Sequence, residues 1–378
     1  MTDQIAPAGD PAPFGGTFAG KTVLITGHTG FKGSWLTAWL LHLGARVVGL
    51  SNGVPTNPAM FDVLSLGARI DHRLADVRDA AAVRAIVRET RPDFVFHLAA
   101  QAIVSTSYAD PAGTFATNVM GTAHLLEALR DADWPCVATM ITSDKCYDNV
   151  EWIWGYRETD ALGGNDIYSG SKGGAELAIK SWHASFFGPA RSPVRIGIGR
   201  AGNVIGGGDW AADRIVADCM RAWSSGGTVE IRSPGATRPW QHVLEPLSGY
   251  LTLAAKLADD PALDGEAFNF GPRAEQNRTV VELLDELARN WGALDQAPLR
   301  ITANVPFHEA GLLKLNCDKA LFHLRWEANL DYAETIPIIG AWYRGYYRDK
   351  ADMFALTMDQ LTDYEKLARA RQRIWAQS

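Results

Sequence analysis

The alternation that begins at Lys21 limits the fold of this chain more than any other feature. Lys21 to Thr26 (KTVLIT) is a short β-branched run halted by Gly27. Phe31 to Leu43 (FKGSWLTAWLLHL) carries apolar residues at helical spacing, Gly44 ends it, and Ala45 to Leu50 (ARVVGL) reads as a second strand. Strand, helix and strand in that order make a βαβ unit, whose parallel strands require the crossover helix. The alternation goes on through a helix at Ala81 to Glu89, a strand within Pro92 to Ala100, a helix at Asn118 to Arg130, a strand at Cys136 to Thr142, a helix at Tyr168 to Phe187 and a strand at Val194 to Arg200. The fold class is therefore α/β, with a doubly wound parallel sheet over 21–203. Beyond Asn203 the pattern dissolves into GGGDW and turns rich in Gly and Pro. This predicts a smaller mixed C-terminal lobe over 204–346, with segments around 240–275, such as GYLTLAAKL, returning to the sheet. Residues 1–20 read as a flexible tail and 347–378 as a helical extension.

Composition excludes several function classes. The chain has 378 residues, enough for two lobes, and a net charge of -7 without a basic tract, which argues against nucleic acid or an anionic membrane surface. No apolar run approaches the ~20 residues of a membrane helix. The four cysteines are scattered without a C-x-x-C pair, against a zinc site or disulfide framework and in keeping with a reducing cytoplasm. No His/Cys/Asp cluster has ligand spacing, so no metal is expected.

The turn after the first strand reads ITGHTGFKGSW and sets Gly27, Gly30 and Gly33 three residues apart. Glycines between a strand and a helix let backbone N–H groups approach a pyrophosphate, which the helix N-terminus also favours. Lys32 opposes the helix macrodipole there; either it is solvated or it helps to hold an anion. After the second strand, Ser51 and Asn52 stand where an acid would mark NAD, and no arginine follows for a 2′-phosphate, so NAD is expected with a looser ribose grip. Asp76 is either a contact for the adenine amine or a surface acid.

Two further stretches carry chemistry. YSGSKGGAE puts Tyr168 and Lys172 on one face at a helix start. An ammonium beside a phenol favours phenolate, so the tyrosine should titrate nearer neutrality and serve as a base while hydride leaves the same carbon. MITSDKCYDN sets Ser143, Asp144, Lys145, Cys146 and Tyr147 directly after an apolar run. By itself that is a solvated turn, an active-site rim or a metal site.

With these motifs the chain resembles the extended short-chain dehydrogenases/reductases. More narrowly it resembles the CDP-glucose branch of the nucleotide-sugar 4,6-dehydratases, through TGHTGFKGSW, TNVMGTAHLLEAL, ITSDKCYDN, EWIWGYRE, RAGNVIGGGDW, ATRPWQHVLEPLSGY, FNFGP and HEAGLLKL. The resemblance implies a Rossmann domain binding NAD and a reaction in which C4 of the sugar is oxidised, water leaves across C5 and C6, and hydride returns to C6. It makes Ser143, Asp144, Lys145, Tyr168 and Lys172 the catalytic candidates. Ser143 would bond the C4 oxygen and Asp144 would protonate the departing 6-hydroxyl. Lys145 would either remove the C5 proton or stay charged and steady the enolate. The cofactor candidates are Gly27, Gly30, Phe31, Lys32 and Gly33 in the loop, Asp76 and Val77, Ala99, and again Tyr168 and Lys172. The substrate, a nucleotide sugar and by this resemblance a CDP-hexose, would meet Asn118, Asn203, Arg238, His308 and Glu309; Asn118 is alternatively a helix-start cap, and His308, Glu309 and Lys314 alternatively solvated.

Ala102 and Ser105 in HLAAQAIVSTSY depart from the usual Q-P-L-V-R, and Asn316 and Asp318 from L-D-C-S-K-A, which bears on the substrate more than on the hydride chemistry. A 4-epimerase, a dehydratase for another sugar nucleotide and a non-catalytic NAD-binding scaffold compete with this reading. The Asp144–Lys145 pair favours dehydration, and the intact Tyr168/Lys172 pair speaks against a scaffold. The helices at roughly 115–131 and 168–187 carry Leu125, Leu126, Leu129, Leu177, Ile179 and Trp182, more than one core face needs. In the resembling family these helices pair, so a homodimer or dimer of dimers is expected.

Overall fold

The computed structural model describes residues 12–188, 191–231, 234–273, 276, 278–292, 297–302 and 312–377. Six strands form in chain order: β1 (Thr22–Thr26), β2 (Arg46–Ser51), β3 (Asp71–Leu74), β4 (Phe94–His97), β5 (Cys136–Ile141) and β6 (Val194–Ala201). With Ala267–Phe270 they make a seven-stranded, wholly parallel sheet in the order Ala267–Phe270, β6, β5, β4, β1, β2, β3. The order reverses beside β1, which opens a crevice at the strand ends where ligands of such sheets bind.

Successive side chains along each strand feed opposite faces. Leu24, Val95 and Ala138 pack with Val83, Leu125, Leu129 and Ile179 in one core cluster. Val23, Ile25, Phe94 and Phe96 pack with Trp35, Trp39, Tyr250 and Leu253 in the other. Burial on both faces is why the strands read as continuous apolar runs. The helix Phe31–His42 (α1) follows the glycine loop, and Leu244–Asp259 returns from the second half to pack on β5 and β6.

Two expectations are corrected. Leu125, Leu126, Leu129 and Ile179 are buried in this chain's own core and are not surplus. The exposed apolar residues on those helices are Phe115, Met120, Leu177 and Phe186, while Trp182 is tied to Glu127 Oε1. The segment from Ala12 to Gly20 is also no free tail. Phe14 and Phe18 are buried, and Phe14 stacks on Trp375 at 5.0 Å. The helix Met353–Ala370 completes this corner, where Glu365 accepts the Trp39 indole N–H at 2.8 Å.

Candidate active site

β1 ends at Thr26 and β4 at His97, side by side, and Gly27 opens the loop beyond β1. A Cβ on Gly27, whose φ is +74°, would lie 2.7 Å from Ala99 N, and one on Gly33 would lie 2.2 Å from Gly27 O. Any side chain at either position would therefore pry the loop open. No side chain caps α1 behind Gly30, so its first N–H groups remain available to an anion. Gly27, Gly30, Phe31, Lys32, Gly33, Asp76, Val77 and Ala99 all line one cavity of about 880 Å³. The residues present fit a dinucleotide. Asp76 is held to about 2 by Arg78, whose guanidinium bonds it, and Asn52 Nδ2 donates to it at 3.2 Å. It is thus an ion-paired acid at the cavity edge, and Arg78 is a residue the sequence reading passed over.

The same cavity holds Ser143, Asp144, Lys145, Tyr168 and Lys172. Strand β5 delivers the first three: beyond Ile141 the chain leaves the sheet and tightens into a short turn, Asp144–Cys146, capped by Ser143. Asp166 caps the helix Ile167–Phe186 by accepting the Ser169 N–H, which sets Tyr168 and Lys172 in its first two turns. Ser143 Oγ donates to Asp144 Oδ1 at 2.9 Å and accepts the Lys145 N–H at 3.2 Å.

Burial dominates the titration of these groups. It raises the Asp144 carboxyl above the usual range, against the opposing pull of Lys145 and the Ser143 hydrogen bond. It lowers Lys172 to about 8 and Lys32 to about 7. Tyr168 is pushed up to about 12 by burial, while a hydrogen bond with Ser143 and the charge of Arg214 pull the other way. The drop toward neutrality expected from Lys172 is therefore corrected: desolvation of the phenolate dominates, and the same burial lowers the lysine toward its neutral form. Burial also keeps the Cys146 thiol well above its ordinary value, so it is no nucleophile here.

The GDP-mannose 4,6 dehydratase family model matches residues 24–336. The chain belongs to the GDP-mannose 4,6 dehydratase family. Its relatives include a CDP-glucose 4,6-dehydratase of Salmonella typhimurium, 45% identical over 91% of this chain and 96% of the relative. A dTDP-glucose 4,6-dehydratase of Xanthomonas campestris is 25% identical over 85% of this chain and 93% of its own. Among solved structures, DesIV, a dTDP-glucose 4,6-dehydratase from Streptomyces venezuelae with NAD and TYD bound, superposes with a TM-score of 0.72. At 23% identity over 87% of this chain and 99% of that one, it attests the fold.

In this member of the GDP-mannose 4,6 dehydratase family the substrate candidates are scattered. Asn203 lines the cavity. Asn118 does not: it is buried, and it clamps the chain by accepting the Gln101 N–H and donating to Gln101 O and Ser171 Oγ. It sits inside the π-helical turn Ala116–Met120, so it caps no helix start either. Arg238, in the short strand Thr237–Arg238, is not among the cavity-lining residues. His308 and Glu309 lie outside the described residues. Lys314 shares a small hollow with Asp144 and Gln241. Lys32 leans inward, its Nζ 3.5 Å from the Tyr250 hydroxyl. The departing positions Ala102 and Ser105 meet the turn at Asp213: Ser105 Oγ donates to Asp213 Oδ2 at 2.6 Å, and Arg214 Nη2 to Ala102 O at 3.2 Å. Arg214 thus brings a guanidinium to the cavity wall beside a serine. Its one sequence signal was a basic residue just ahead of the amphipathic run IVADCMRAW.

Proposed function

We propose that this chain is an NAD-dependent hydro-lyase converting CDP-D-glucose into CDP-4-dehydro-6-deoxy-D-glucose and water. The observation that carries the reading is Asp144, a buried carboxyl held toward its protonated form beside Ser143 and Lys145, in the cavity of Tyr168 and Lys172. A 4-epimerase needs the tyrosine and lysine but no acid at C6. The 45% identity to the Salmonella typhimurium CDP-glucose enzyme supports the CDP-sugar over other bases.

The glycine turn with Phe31 and Lys32 would hold the diphosphate of NAD, and Asp76, Val77 and Ala99 the adenosine side. When bound, NAD accepts a hydride from C4 and returns it at C6. The chain's own groups move the protons. Tyr168 takes the 4-hydroxyl proton in its phenolate form, which the Ser143 hydrogen bond and the Arg214 charge favour against burial and a charged Lys172 on the same helical face would favour further. Asp144 protonates the 6-hydroxyl oxygen as it leaves as water. Lys145 removes the C5 proton when neutral and returns one to that carbon. The proton Tyr168 has gained equals the one Asp144 has given up, so exchange with solvent resets the site.

The exposed apolar residues Phe115, Met120, Leu177 and Phe186 on neighbouring helices support a homodimer. The four cysteines are all free, in keeping with the cytoplasm. Incubation with CDP-glucose and NAD, followed by mass spectrometry, tests the function. Loss of one water supports it, whereas inversion at C4 without mass change would make the chain an epimerase. Parallel incubations with dTDP-, GDP- and UDP-glucose decide the base. Light scattering at micromolar concentration tests the dimer, and a monomer would refute it.

A further inference from the structure

The catalytic elements meet over a buried ion pair to which the chemistry above gives no part. Arg200, near the end of β6, and Glu176, one turn beyond Lys172, are 3% and 2% exposed. Arg200 Nε and Nη2 donate to the two carboxylate oxygens of Glu176 at 2.7 and 2.9 Å, a bidentate fork. Thr142, the residue before Ser143, donates its hydroxyl to Glu176 Oε1 at 2.5 Å. Arg200 Nη1 donates to the Tyr147 hydroxyl at 2.7 Å, and that hydroxyl donates to Asn269 Oδ1 at 2.8 Å. The pair therefore grips the strand-end segment both before and after Ser143, Asp144 and Lys145, and grips the helix that carries Tyr168 and Lys172.

Withdrawing two charges from water is costly, and a well-packed apolar pair commonly serves stability as well. Stability alone is a weak account of this arrangement. Glu176 lies four residues after Lys172 and so on the same helical face. We propose that Glu176 and Arg200 are positioning residues, which fix the catalytic helix against the Ser143–Lys145 strand end. This inference rests on the reading of Tyr168 and Lys172 as the hydride-step pair.

The groups facing Lys172 come from several elements. Glu176 lies on its own helix, Cys146 on the strand end, His97 on β4 and Lys32 on α1. Burial keeps the thiol of Cys146 neutral and pulls His97 down to about 3, so both are uncharged at working pH. Lys32 is a like charge. Glu176 is thus the anion among these groups that opposes the discharge of Lys172 by burial.

The test begins with Glu176→Gln, which keeps length and hydrogen-bonding capacity and removes the charge. Its cofactor affinity and KM should stay near those of the parent, while kcat falls about 100-fold, the scale of a misplaced catalytic group. Lysine 13Cε NMR of the protein without substrate should place the Lys172 midpoint near 8 in the parent and about one unit lower in the variant. Glu176→Asp, with charge but less reach, should recover part of both. Glu176→Met combined with Arg200→Met should melt like the parent yet remain slow. Wild-type kcat with an unmoved Lys172 midpoint in Glu176→Gln, or full activity in the folded double variant, would overturn the proposal. Should Glu176→Gln not fold, Thr142→Val decides: an unchanged melting temperature with a lowered kcat supports positioning, and an unchanged kcat refutes it. Because the NMR titration uses no substrate, an inactive parent would sink the dehydratase reading without touching that result.

Discussion

Replacing Asp144 by asparagine should separate catalysis from stability in opposite directions. The side chain is 6% exposed, and burial raises its carboxyl above the usual value despite Lys145 and Ser143. Asparagine keeps the shape and can still accept the Ser143 hydroxyl, but it has no proton to give the departing 6-hydroxyl. General acids typically contribute about 100- to 10,000-fold, or about 3–5.5 kcal/mol of barrier, so water loss should slow by that factor while reduced cofactor and solvent deuterium at C5 still appear. Stability should move the other way. A carboxyl raised in the folded state binds more protons folded than unfolded, so its contribution is present below the unfolded pKa near 3.8 and is lost as pH rises through the folded value. The neutral amide carries no such loss. The melting temperature of Asp144→Asn should therefore match the parent in acid and exceed it increasingly toward neutral pH. Mass spectrometry of product and thermal melts across pH measure the two effects. Dehydration within tenfold of the parent, or a melting difference independent of pH, would refute the assignment of Asp144 as a buried acid.

Lys145→Ala should accumulate reduced cofactor with substrate while deuterium no longer enters C5; loss of C4 oxidation first would make Lys145 a substrate-positioning residue. Tyr168→Phe should fold normally and lose C4 oxidation by at least about 100-fold, read as absent cofactor reduction in single turnover. Gly33→Ala places a methyl 2.2 Å from Gly27 O, so calorimetry should find cofactor affinity weakened by about tenfold or more, equivalent to about 1.4 kcal/mol. Because Lys172 discharges near 8, kcat/KM should fall on the alkaline side from about that pH, and a flat profile to pH 10 would be inconsistent with a charged Lys172 in the hydride step.

Local pattern was enough for the parallel sheet, the glycine loop and the helix that carries Tyr168 and Lys172. These depend on periodicity and on glycines whose missing Cβ atoms have nearby consequences. Contacts between distant segments were not legible. Phe14 and Phe18 lie among Pro, Gly and Ala, and nothing local announces that Trp375 waits for them. The helix before Gly121 starts earlier than its apolar spacing suggests, because Asp110 caps a turn begun by Pro111. Asn118 has the residue type of a substrate ligand, yet the Gln101 backbone and Ser171 consume its hydrogen bonds. The acidity of Tyr168 followed from depth of burial, which spacing to a lysine does not encode.

The corner where Phe14, Trp39, Glu365 and Trp375 meet has a consequence for synthesis of the chain. The glycine loop and the helix it opens are made early, but the carboxylate that accepts the Trp39 indole lies 326 residues further on. At about 5–20 residues per second, a ribosome takes on the order of 15–65 s to cover that distance. Through that interval the helix behind the dinucleotide turn has a buried-type indole without its acceptor and an aromatic, Phe14, without its stacking partner. Nascent chains would then complete the packing behind the dinucleotide turn only once Glu365 and Trp375 have been made.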